Sequence, residues 1–212
     1  MKTFILIAVL MLALLSAVFA NDRYTEAMQK SIQAIYQAQT IPDYQTAVNT
    51  FERIAAMEKA EWEPVYYASY GYIMMAIREQ DKGAKDAYLD QAMKGIARAQ
   101  VLAPGESEIT ALEGFAYMIR VSVDPGSRGQ QYAPVAMKTL SKAVAMNAEN
   151  PRALSLLGQM QYGTAEFFGS ATTEACATLG KALAKFESFA TDNPLAQRWG
   201  KAVAESAKAK CR

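Results

Sequence analysis

Histidine is absent from this 212-residue sequence, and that absence excludes more chemistry than any residue present. Without imidazole there is no Ser-His-Asp or Cys-His nucleophile, no general base that titrates near neutrality unperturbed, and no His-containing metal site. Cysteine occurs only as Cys176 and Cys211, too few and too far apart for a four-thiolate zinc site. No glycine-rich loop of P-loop or dinucleotide-binding form occurs. The carboxylate pairs Glu61/Glu63 and Glu106/Glu108 flank expected helix starts, where acids complement the helix dipole. Catalysis, a metal and a cofactor are therefore not expected. An excess of either charge is also missing, with 22 basic against 21 acidic residues. Affinity for nucleic acid or anionic lipid comes from uncompensated Lys and Arg, so neither is an expected partner.

Long hydrophobic runs are equally scarce. Lys2 precedes an apolar run from Phe4 to Leu15, followed by small residues that end at Ala20. This order reads as a secretory signal peptide over 1–20, with Val18 and Ala20 before the cut and Asn21 as the mature N-terminus. The run is shorter than the roughly 20 residues that span a bilayer, and no second one follows. No cysteine follows it to carry a lipid. The expectation is a periplasmic or secreted protein, with 21–212 as one domain and no stable membrane insertion after cleavage.

What remains is helical in composition, rich in Ala, Met, Gln, Lys and Glu and divided by seven prolines that suit loops or first helical turns. The apolar spacing predicts helices near 22–39, 43–60, 64–80, 84–101, 107–122, 133–147, 151–163, 172–190 and 194–209. These helices repeat in pairs. Pro64-Val-Tyr-Tyr-Ala-Ser-Tyr-Gly71, Ser107-Glu-Ile-Thr-Ala-Leu-Glu-Gly114 and Pro151-Arg-Ala-Leu-Ser-Leu-Leu-Gly158 each open a helix and place a glycine at the same offset. Glycine weakens a helix, so its recurrence predicts close approach of the partner helix. In the second helices, Ala92, Ile96 and Ala99 match Ala136, Leu140 and Ala143 as a small-large-small row that can lie against a neighbour.

Leu157-Gly158 with Tyr162, Gly114 with Tyr117, and Tyr70-Gly71 resemble the first helix of the tetratricopeptide repeat family, and the Ala-large-Ala rows resemble its second. Asn150-Pro-Arg152, Phe168-Gly169 and Asp124-Pro-Gly-Ser-Arg-Gly129 are also similar to a group of exported repeat proteins of Bacteroidota-type bacteria. The resemblance implies an all-α, tetratricopeptide-like α-solenoid of antiparallel helix pairs, with units at about 22–60, 64–101, 107–147 and 151–190 and a C-terminal capping helix at 194–209. The repeat starts lie 43 and 44 residues apart, against a usual period of about 34. The extra residues are expected to enlarge the inter-helix turns, at Asp124 to Gly129 and Gly163 to Thr173. Arg128 in the first turn is expected to pair with Asp124 or cap helix carbonyls, the alternative being a ligand carboxylate. In the second, one of Phe167 and Phe168 is expected to plug the longer turn, the alternative being an aromatic surface for a ligand.

The first helices of such a stack line its concave face, and the resemblance points Tyr72, Met75, Phe115, Met118, Arg152, Gln159 and Tyr162 toward it. Aromatic and Met side chains there suit a protein or peptide partner, so a non-catalytic interaction scaffold is the leading expectation. The alternative is an envelope binding protein for a small molecule or glycan, using Tyr66, Tyr67, Tyr70 and Tyr72 near Trp62. Finally, antiparallel helices at 172–190 and 194–209 bring Cys176 beside Cys211. In an oxidising compartment that pair is expected to be a disulfide, the alternative being two free thiols.

Overall fold

The computed structural model describes residues 22–211, so the expected signal peptide lies outside the described residues. The described chain is helical and without strands. A first helix, α1, covers 22–37. It is followed by α2 (Ile41–Met57), α3 (Glu63–Arg78), α4 (Lys82–Leu102), α5 (Ser107–Val123), α6 (Pro125–Met146), α7 (Pro151–Phe168), α8 (Thr173–Ser188) and α9 (Lys201–Lys208).

Helix starts follow local chemistry. Thr40 and Asp43 form a reciprocal capping box at α2, with the Thr40 N–H donating to Asp43 Oδ2 at 2.9 Å. Asp81 accepts from the Ala84 N–H at 2.8 Å, and Asn150 from the Arg152 and Ala153 N–H groups at 2.9 and 3.0 Å. Pro42, Pro64, Pro125 and Pro151 occupy first turns, where the missing N–H has no intrahelical partner to lose. The connections within the stack are short, so sequential helices run antiparallel and pack against each other from α2 to α8.

The extra residues of the long period lengthen helices rather than turns, contrary to expectation. Asp124 alone separates α5 from α6 and accepts from the Ser127 N–H at 3.4 Å, so Pro125 to Gly129 are helical. Pro134 lies inside α6 on an exposed position, where the carbonyl deprived of its donor can reach water. At the other expected turn, α7 continues through Phe168 and stops at Gly169, which takes up a left-handed conformation at φ 64°. Phe167 and Phe168 plug nothing. Both are exposed, with their rings edge-on at 5.1 Å.

The repeated glycines do mark close approach. A Cβ on Gly114 would stand 2.5 Å from Leu140 Cγ on α6, and one on Gly158 would stand 2.8 Å from Leu179 Cγ on α8. Gly71 is tight for a different reason, since its nearest neighbours are Val48 on α2 and Ile35 on α1. Ala92, Ile96 and Ala99 are buried, as are Ala136, Leu140 and Ala143, and α8 supplies a third such row in Ala175, Leu179 and Ala182. One core cluster is built mainly from α1 to α5 and another joins α5, α6 and α7. Phe115 and Trp199 pack against both.

The C-terminal region departs most from the sequence expectation. No helix covers 194–209. Residues 189–200 form an irregular strap, and only Lys201–Lys208 are helical. The physical reason lies in Leu195, Ala196, Gln197 and Trp199, which turn inward to contacts on α1 and α3 that a continuous surface helix could not make. Cys176 and Cys211 are nonetheless joined as a disulfide, with Cα atoms 5.7 Å apart.

Candidate functional site

Where the strap crosses the stack it completes a concavity of about 580 Å³. One wall is the helical scaffold, with Ile35 and Tyr36 near the end of α1, Tyr44 in the first turns of α2, and Tyr70 on α3. The other wall comes from the strap and α9, through Arg198, Trp199, Gly200, Lys201, Ala202 and Glu205. Arg78 braces the corner, donating from Nε to the Gln39 carbonyl at 2.9 Å and placing its guanidinium 4.5 Å from the Tyr44 ring.

Aromatic rings dominate the floor. Trp199 stacks between Tyr70 and Phe115, at 5.2 and 5.7 Å between centroids, and Tyr36 meets Tyr67 and Tyr70 edge-on at 6.2 Å each. Hydrogen bonds fix the strap beneath. The Tyr67 hydroxyl donates to the Leu195 carbonyl at 2.8 Å, the Arg198 N–H donates to the Tyr36 hydroxyl at 3.1 Å, and Trp199 Nε1 donates to the Tyr66 hydroxyl at 3.0 Å. Burial pushes the phenols of Tyr36, Tyr44, Tyr66, Tyr67 and Tyr70 up. They are neutral rings at physiological pH, suited to stacking and hydrogen bonding rather than proton transfer.

Below the rings lies a buried ion pair. Arg152 Nε donates to both Glu108 oxygens at 2.8 Å, and Arg152 Nη2 approaches Oε1 at 2.8 Å. Burial pushes the Glu108 carboxyl up against the pull of Arg152. Burial also works to lower the Arg152 pKa, but the Glu108 carboxylate outweighs it and raises it. Tyr66 adds a hydrogen bond to Glu108, and the Phe189 ring lies 4.8 Å from the guanidinium. This network joins α3, α5 and α7 under the strap.

The seven residues assigned to a concave face do not converge on one open surface. Phe115 stands in the aromatic stack, and the Tyr162 hydroxyl donates to the Lys210 carbonyl at 3.4 Å. Met75 is wholly buried, and Arg152 is consumed by Glu108. Met118 packs against the second core cluster, and Gln159 bonds back to Ser155 on its own helix. Tyr72 faces a separate groove between α2, α3 and α4, donating to Glu52 at 2.7 Å. Of the tyrosine cluster, Tyr66 and Tyr67 are fully buried, while Tyr70 reaches the site. Arg128 pairs bidentately with Asp86 at 2.6 and 2.7 Å rather than with Asp124, which pairs with Lys82. Glu106 caps α5 as expected of an acid at a helix start. Tyr36, Tyr44, Arg198, Trp199 and Lys201 were not singled out from sequence. The available signal was one of only two tryptophans standing in the polar stretch Gln197-Arg-Trp-Gly200. Among the described residues no group of side chains is arranged to hold a metal.

No family model and no curated protein sequence matches this chain. Solved structures do. The chain is similar to the HusA haemophore from Porphyromonas gingivalis, with a TM-score of 0.81 and 28% identity over 89% of this chain and 92% of that one. It is also similar to a thermophilic tetratricopeptide protein of Thermus thermophilus, with a TM-score of 0.57 and 17% identity over 91% and 94% of the two chains. The second likeness shows fold alone. Together they establish a tetratricopeptide-like helical stack with a relative in the bacterial group suggested by the sequence resemblance.

Proposed function

We propose that this protein is an exported, non-catalytic carrier that takes up a flat, apolar, carboxylate-bearing ligand of the porphyrin class. The observation that carries this reading is the concavity that sets Tyr36, Tyr44, Tyr70 and Trp199 beside Arg198 and Lys201. Its volume of about 580 Å³ falls within the range of small-molecule sites. The aromatic lining suits apolar contact with the rim of a macrocycle, and the two cations suit its carboxylates. Likeness to a haemophore supports the class of cargo. The signal-like segment and the disulfide support export.

With no histidine in the chain and the site phenols held neutral, the ring system rather than an iron ligand supplies the affinity. Haemin and iron-free protoporphyrin IX are therefore expected to bind with similar strength in absorbance titrations. Reversal of the exposed cations, Arg198→Glu with Lys201→Glu, is expected to weaken both by about tenfold or more, with the fold unchanged by circular dichroism. Absence of saturable binding in the unaltered protein overturns the reading.

A protein-interaction scaffold is a second reading, favoured by one observation. The helical stack already holds an irregular segment of chain, the strap itself, through Tyr36 and Tyr67. Co-purification of a defined protein from envelope extract, lost with Phe115→Ser, is the test of that reading.

A further inference from the structure

The ligand concavity is half scaffold and half strap, and the strap ends in a short helix at the edge of the stack. Helix α9 has eight residues and buries only Ala204, while isolated helices shorter than about 12–15 residues are marginal in water. It packs on α7 and α8, where Lys208 Nζ donates to the Cys176 carbonyl at 3.0 Å and the Tyr162 hydroxyl donates to the Lys210 carbonyl at 3.4 Å. The disulfide from Cys211 to Cys176, at the first turn of α8, is the strong link. Both cysteines are partly exposed. At the near end of α9, Gly200 takes φ 102°, a left-handed joint between the strap and the helix.

We infer that the Cys176–Cys211 disulfide is a redox latch on the ligand concavity. Intact, it holds α9 beside the 189–200 strap, which its own hydrogen bonds fix, as one wall of the site. Reduced, it lets α9 swing away about Gly200, which removes Lys201 and Glu205 from the wall and uncovers Trp199 while the ring keeps its place on Tyr66, Tyr70 and Phe115. The chemistry is exchange with a dithiol reductant. A reductant thiolate attacks one sulfur, the protein S–S bond breaks, and the second thiol resolves the mixed disulfide. Two electrons and two protons pass to the protein as two thiols, and the reductant leaves as its own disulfide. Cargo carried in an oxidising compartment is then released where dithiols are present.

This inference rests on the carrier reading, and the test separates the two. The full mature chain is titrated with iron-free protoporphyrin IX when oxidised, after dithiothreitol, and as the Cys176→Ser/Cys211→Ser variant. In a Trp62→Phe background Trp199 is the remaining tryptophan, and acrylamide quenching of its emission reports the departure of α9 without any ligand. Reduction is expected to weaken porphyrin binding by about tenfold or more and to raise Trp199 quenching several-fold, while far-UV helicity falls by no more than the share of α9. Unchanged quenching on reduction overturns the latch. Melting of the whole stack on reduction overturns it as well, because the device must be local. If the oxidised protein takes up no porphyrin, the carrier reading fails by itself, and the quenching arm still decides the latch.

Discussion

Two carboxylates near helix starts, Glu63 and Glu108, are buried to different ends. Glu108 is matched by Arg152 and a tyrosine hydroxyl, so its charge has partners inside the protein. Glu63 is half-buried in the first turn of α3, and its Oε2 is buried without a hydrogen-bond partner. Burial pushes its carboxyl up, and nearby Glu61 and Glu106 add to the effect. A carboxyl whose pKa is raised by folding binds its proton more tightly in the folded state. Its charge therefore opposes folding above the folded pKa, and the penalty disappears below the ordinary glutamate value. Glu63→Gln is expected to raise the melting temperature at pH 7, with a gain of at most about 1 kcal/mol after solvent screening. The gain should vanish below about pH 4, where the wild-type side chain is itself neutral. Paired thermal melts at the two pH values check this, and an equal gain at both would show that the buried charge is not the cause. The sequence placed an acid at this helix start, but its depth follows from the packing around α3.

At the scale of the helices, the recurring glycine separates packing from propensity. Gly114 and Gly163 both lie inside helices, yet a Cβ on Gly114 would press on Leu140 while one on Gly163 would meet nothing within 4 Å. Gly114→Ala is therefore expected to destabilise the chain by about 1–3 kcal/mol through overpacking. Gly163→Ala should stabilise it by about 0.5–1 kcal/mol, because alanine restricts the unfolded chain and favours helix. Urea unfolding of the two variants gives the opposite signs required, and a shared sign would break the proposed register. The close contacts at Gly114 and Gly158 were legible because a repeated weak helix former demands a reason. The assignment of 125–129 to a turn failed for an equally physical reason. The extra residues of the long period were assigned to a turn there, but after an Asp cap Pro125 and Gly126 are acceptable first-turn residues and the helix takes the extra residues up.

Across the whole molecule, stability is graded from the inner helices outward. Helix α3 buries residues along most of its length and α5 and α7 do so mainly through their N-terminal halves, whereas α4, α6 and α8 bury narrow rows and α9 buries Ala204 alone. Amide hydrogen exchange is expected to be slowest in α3, α5 and α7 and fastest in α9. Mass spectrometry of the exchanged protein checks the order, and α9 protected as well as α5 would contradict it. The helices before the strap, apart from the start of α6, their antiparallel packing, two of the three glycine contacts and the cysteine pair were legible in the sequence itself, since caps, apolar periodicity and breakers act within a turn or two of chain. The route of the strap and the site it completes were decided only by the tertiary structure. Tyr67 meets Leu195 across 128 residues, Tyr66 meets Trp199 across 133, and Tyr36 meets Arg198 across 162. Contacts at such separations leave no periodic trace in the sequence, because they depend on which faces the stacked helices turn toward one another after they have packed.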